Sequence, residues 1–299
     1  MLWLRIGTLM ITPCEAKLVD YTTLIEPAEL APHLADPGWV VVDCRFDLGN
    51  PSAGSQQYAE GHIPGARYAH LDADLSGPVT ARTGRHPLPD PETFARKLGS
   101  WGIEQASQLV AYDAASGALA ARLWWMMRWV GHRKVAVLDG GLKAWVEAGQ
   151  PVNNRVPVIR PATITPRVDP GAAVSVEEVM SGLADGTLLL VDARASDRFA
   201  GRNETIDPVA GHVPGARNHP FLRNVDAGQR FLTPAELRER WRTALAAAKG
   251  RDIVSMCGSG VTACHNLLAL EVAGHSGARL YAGSWSEWIR DPARPVATR

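Results

Sequence analysis

No excess of either charge marks this 299-residue chain, in which 31 basic side chains are matched by 31 acidic ones. Nothing in that balance would draw the chain to nucleic acid or to an anionic surface. Cysteine is scarce: there are four, at positions 14, 44, 257 and 264, and no two stand in CxxC spacing. That excludes the disulfide framework of a small secreted domain, so a reducing, cytoplasmic compartment is expected. Long apolar runs are missing too. Residues 1–11 are apolar apart from Arg5, Gly7 and Thr8, too short for the about 20 residues of a membrane span. With Arg5 interrupting them and no small-residue cleavage pattern before Pro13 and Cys14, they read as an N-terminal extension or an upstream start rather than a signal peptide. A composition of 46% apolar and 21% charged residues excludes a disordered or collagen-like chain. The length suits two domains, each able to bury a core.

The sequence does contain a duplication. Gly61-His62-Ile63-Pro64-Gly65-Ala66-Arg67 recurs as Gly211-His212-Val213-Pro214-Gly215-Ala216-Arg217. Upstream, Val41-Val42-Asp43-Cys44-Arg45 matches Leu190-Val191-Asp192-Ala193-Arg194, and downstream residues 140–145 match 283–288. Three matches in one order, far apart for a solenoid, indicate two copies of a whole domain. Between them, residues 151–170 carry five prolines in a polar stretch. The expected division is therefore a domain at 1–150, a linker at 151–170 and a domain at 171–299. Apolar, β-branched runs at 39–43, 109–112 and 135–138, and again at 188–192, 253–256 and 279–281, read as buried strands. Helical patterns fall between them, at 118–130, 233–248 and 261–273. The expectation is α/β, each domain a mainly parallel sheet with helices on both faces.

What both copies keep is expected to serve the fold. The glycines and proline of the Gly-His-x-Pro-Gly motif shape a turn, and the Asp43/Arg45 and Asp192/Arg194 pairs read as internal ion pairs. The copies differ after the strand at 253–256, where the second reads Cys257-Gly258-Ser259-Gly260-Val261-Thr262 and the first Asp113-Ala114-Ala115-Ser116-Gly117. A glycine-rich turn entering a helix can aim successive backbone N–H groups at one point, where the helix dipole also favours an anion. A cysteine placed there is favoured as the thiolate, the nucleophilic form. Cys14, Cys44 and Cys264 have no such surroundings. Sulfur transfer, phosphoryl transfer and redox exchange would all use a thiolate. Redox exchange lacks a resolving cysteine in CxxC spacing, and phosphoryl transfer lacks a cation, since no basic residue occurs from 258 to 264. The neutral loop suits a bound sulfur.

With these motifs the chain resembles the tandem rhodanese-like sulfurtransferases, and residues 257–262 are similar to the loop of the 3-mercaptopyruvate sulfurtransferases. Thiosulfate-preferring members usually have basic residues where this chain has Gly258 and Ser259. The resemblance implies that Cys257 takes sulfur from 3-mercaptopyruvate as a persulfide and passes it to cyanide, a thiol or a thioredoxin-like protein, with no cofactor and no metal. Thiosulfate is the rival donor. A non-catalytic sulfur carrier or partner-binding tandem domain is the reading from another class. The resemblance further implies catalytic roles for Ser259, His86 and Asp72. It also implies donor binding by Arg198 and by Gly258, Gly260, Val261 and Thr262. A second donor arginine, expected about nine residues after Arg198, is absent, and Arg202 is the available substitute.

Overall fold

The computed structural model describes residues 20–298; the reading of residues 1–11 and of Cys14 lies outside them. Among the described residues nine strands form two sheets, with the strands of each sheet paired in parallel. In the first half, β1 (Leu24–Ile25), β2 (Trp39–Asp43), β3 (Arg67–Tyr68), β4 (Gln108–Tyr112) and β5 (Val135–Leu138) lie in the order β1-β5-β4-β2-β3. In the second, β6 (Leu188–Asp192), β7 (Arg217–Asn218), β8 (Asp252–Met256) and β9 (Arg279–Leu280) lie in the order β7-β6-β8-β9. The second order repeats β5-β4-β2-β3 read backwards, so the duplicated sequence builds a duplicated topology. Next to β9, a parallel bridge between Ala173 and Leu280 takes the place that β1 holds beside β5.

Central strands β4, β5 and β6 are buried at every position, as uninterrupted apolar runs require when helices cover both sheet faces. The longest helix, Pro234–Ala248, opens on a capping box in which Thr233 and Glu236 satisfy each other's backbone N–H groups. The expected helix at 118–130 is trimmed to Ala120–Trp129, because the Asp113 carboxylate accepts from the N–H groups of Leu119 and Ala120 and sets the first turn. That helix and its counterpart, Thr262–Val272, belong to one apolar cluster that runs through both halves. The two sheets are thus joined by a shared core rather than by the chain alone.

The repeated motifs hold each half together in the same way. Arg45 pairs with Asp43 at 2.6 Å and donates to the Gly61 carbonyl at 2.7 Å; Arg194 pairs with Asp192 at 2.7 Å and donates to that of Gly211 at 2.8 Å. His62 stacks on Tyr58 and bonds its carbonyl, and His212 does the same with Phe199. Residues 151–170 run against the first half, with backbone bonds from Asn153, Ala162, Arg167 and Asp169 to His62, Gly99, Val130 and Trp129.

Candidate active site

The loop after β8 is fixed from behind. Gly260 is left-handed (φ +77°), and a Cβ there would lie 2.4 Å from the Ala282 carbonyl oxygen, so only glycine fits. The Cys257 N–H donates to Ser284 Oγ at 3.0 Å, and the Cys257 carbonyl accepts from Trp285 at 3.0 Å. Held this way, the loop turns the Gly260 N–H onto Cys257 Sγ at 3.1 Å, beside the start of the helix Thr262–Val272.

The first half shows what such a loop selects. There the Asp113 carboxylate fills the equivalent turn, accepting from the N–H groups of Ala115, Gly117, Leu119 and Ala120 at 2.7–2.9 Å. Its carbonyl accepts from Leu142 as that of Cys257 does from Trp285. One cradle holds its own anion permanently; the other presents a sulfur in its place.

Cys257 opens on a cavity of about 260 Å³ between the halves. Gly258, Ser259, Val261 and Thr262 line it with Arg85, His86, Arg194 and Arg198, while Gly260 stands behind the sulfur and outside the lining. Ser259 Oγ lies 2.7 Å from His86 Nδ1, and His86 Nε2 lies 3.2 Å from Asp72 Oδ1. Burial pushes the His86 pKa down to about 4, helped by the Arg122 guanidinium and opposed by Asp72. The imidazole is therefore neutral around pH 7. With its proton on Nε2 facing Asp72, Nδ1 accepts from the Ser259 hydroxyl, a tautomer assigned from this network. Asp72 is half exposed, giving the chain an outlet to solvent.

Arg198 is bound to Glu204 at 2.7 Å and to Asp207 at 3.2 Å, and Asp207 also pairs with Arg85 from the first half. Burial pushes the Asp207 carboxyl up, against the pull of Arg85. Arg202 is exposed and outside the cavity, and the guanidiniums that line it with Arg198 are those of Arg194 and, from the first half, Arg85. The neutrality of the loop does not extend to the rest of the cavity: Arg85, Arg194 and Arg198 line it beside apolar side chains, and the carboxylates of Asp192, Glu204 and Asp207 back these arginines from outside the lining.

The rhodanese-like domain model matches the chain twice, over residues 26–148 and 175–291. The chain belongs to the rhodanese-like domain family. A probable 3-mercaptopyruvate sulfurtransferase of Pseudomonas aeruginosa is 49% identical over 277 residues, covering 92% of this chain and 98% of that protein. A putative thiosulfate sulfurtransferase of Mycobacterium tuberculosis is 37% identical over 282 residues, 91% of this chain and 96% of that protein. Among solved structures, a 3-mercaptopyruvate sulfurtransferase from Leishmania major superposes with a TM-score of 0.80 at 34% identity, covering 91% of this chain and 76% of that one.

Both rhodanese-like halves thus contribute to one cavity. Sequence reasoning missed Arg122, which is fully buried and donates to the carbonyls of Gly260 (3.2 Å), His86 (3.0 Å) and Leu75 (3.3 Å). It ties the cysteine loop of one rhodanese-like half to the histidine segment of the other. Burial pulls its pKa down, against Cys264 and Cys257. A signal was present: a lone charge inside Ala120-Ala121-Arg122-Leu123-Trp124-Trp125, on a helix buried at every position except Arg128. Trp124, Trp125, Trp129, Trp285 and Trp288 are buried in the core. Burial raises the Cys44 pKa well above its ordinary value and pushes that of Cys264 up to about 12, so both remain thiols.

Proposed function

We propose that this chain is a sulfurtransferase that takes sulfur from 3-mercaptopyruvate onto Cys257 and gives it to cyanide or a thiol, including a thioredoxin-like protein. The observation that carries the donor assignment is the Ser259–His86–Asp72 chain beside the sulfur. Attack of the Cys257 thiolate on the donor sulfur forms an S–S bond and breaks the donor's C–S bond. The electron pair passes to the donor carbon as the enolate of pyruvate, and the proton of the donor thiol must reach that carbon. A hydroxyl backed by a neutral histidine can accept and return this proton. Thiosulfate has no such need, since sulfite departs with the electron pair and no proton moves.

In this reading the persulfide is held by the N–H groups of Gly260 and the loop around it, and Arg198, whose Nε and Nη2 are held by Glu204 and Asp207, meets the donor carboxylate through Nη1. Asp113 leaves the first half without a nucleophile, and that half serves by lending His86, Asp72 and Arg122. We divide the chain at 1–150, 151–170 and 171–299, supported by the lack of helix or strand elements between Glu147 and Val176. Among the described residues no helix is long and apolar enough to cross a membrane. A cytoplasmic setting is supported by Cys44, Cys257 and Cys264 being free thiols.

Thiosulfate is the second reading, favoured by the arginines of the cavity wall. Turnover with each donor at fixed cyanide decides between them, because discrimination is the ratio of kcat/KM values. A higher kcat/KM with 3-mercaptopyruvate is expected; a higher value with thiosulfate would reverse the assignment.

A further inference from the structure

The strongest unassigned feature is the carboxylate of Asp207. Its side chain is 1% exposed and spans two guanidiniums, Arg85 from one half and Arg198 from the other. The three groups stand over the cysteine loop: an ideal Cβ on Gly258 would lie 3.0 Å from Arg85 Nη2, 3.7 Å from Arg198 Nη2 and 3.8 Å from Asp207 Oδ2. The space next to the nucleophile that a side chain at 258 would take is filled by these charges. Around the cavity, Arg194 meets Asp192 and Glu204, Arg198 meets Glu204 and Asp207, and Arg85 meets Asp207. Three arginines of the lining are backed by three carboxylates, so these ion pairs bring no net charge to a site whose nucleophile reacts as an anion.

With the wall arginines already offset, a dianion entering such a site meets more repulsion from the reacting thiolate than a monoanion does, while Arg122, buried behind the loop, is common to both donors. We propose that Asp207 sets the charge of the donor: by offsetting one of the two charges of the Arg85–Arg198 pair, with Glu204 behind Arg198, it makes the cavity select singly over doubly charged sulfur donors. Arg85 is then a specificity-determining residue supplied by the half that lacks the cysteine. The inference rests on the sulfurtransferase reading and adds the reason one donor class is preferred. It also explains why a wall with three arginines need not favour thiosulfate.

The test is Asp207→Asn, which removes the charge and nearly keeps the shape. Turnover with 3-mercaptopyruvate and with thiosulfate is measured at low and high salt. The thiosulfate-to-mercaptopyruvate ratio of kcat/KM is expected to rise about tenfold over wild type at low salt, and the gain to shrink as salt screens the walls. A purely structural ion pair would lower both donors alike, and that result, or an unchanged ratio, would overturn the proposal. Should Asp207→Asn fail to fold, Arg85→Gln reads the same balance from the other side: its ratio is expected to fall, and an unchanged ratio overturns the proposal equally. If wild-type Cys257 gains sulfur from neither donor, the sulfurtransferase reading itself has failed, a result separable from a wild type that turns over with its ratio insensitive to both substitutions.

Discussion

Replacing Cys257 with serine is expected to remove sulfur transfer altogether, a loss of at least about 10⁴-fold in kcat with either donor, while the chain still folds. A serine hydroxyl fits the cradle and can accept the Gly260 N–H that now meets Sγ at 3.1 Å, so the loop keeps its shape. An alkoxide, however, is not available near neutrality, and oxygen does not hold a transferable sulfur. No other described cysteine can take over. Cys44 and Cys264 are buried thiols with raised pKa values, and the Cys264 Sγ is turned onto the Gly260 carbonyl at 3.3 Å. Thiocyanate formation in the presence of cyanide measures the result, and circular dichroism confirms the fold. Turnover by a folded serine variant would overturn the persulfide route and leave the non-catalytic reading standing.

The second large effect separates the donors. His86→Ala and Ser259→Ala are each expected to lower kcat with 3-mercaptopyruvate by about 10²–10⁴-fold, the usual worth of a positioned acid or base. Thiosulfate turnover should change far less, because its sulfur leaves sulfite without a proton transfer. The double variant should be little worse than either single one, since hydroxyl and imidazole act through one 2.7 Å hydrogen bond. The pH profile follows from the buried imidazole. Neutral His86 is the working form, and because its pKa is pushed down to about 4, protonation of His86 should not limit activity where an ordinary histidine protonates and should do so only on approach to pH 4. Equal losses with both donors would mean that the chain acts on the loop's structure rather than on a proton.

Much of the architecture was legible because it is local. Strands at Trp39–Asp43, Val135–Leu138 and Leu188–Asp192 coincide with their apolar runs, because a buried parallel strand writes its burial directly into consecutive residues. The Asp-x-Arg pairs could be read at a separation of two residues. The cysteine loop stood out against its duplicate, and the structure shows Asp113 holding the cradle that Cys257 holds in the other half. His86 and Asp72 came from family resemblance, not from spacing: the bond from His86 to Ser259 spans 173 positions, which no local pattern records. The same holds for Arg85 with Asp207 and for Arg122 with Gly260, 122 and 138 positions apart. Arg202 looked available because it is near Arg198 in sequence. Folding instead brought the guanidinium of Arg85 to the cavity from the opposite half, and only the three-dimensional path of the chain decides that.

The most direct measurement is the mass of the intact protein and of its cysteine-containing peptides after brief exposure to 3-mercaptopyruvate without an acceptor. The account predicts a gain of one sulfur atom, carried by the peptide with Cys257 and lost again when cyanide is added. No gain, or a sulfur found on Cys14, Cys44 or Cys264 instead, would contradict it.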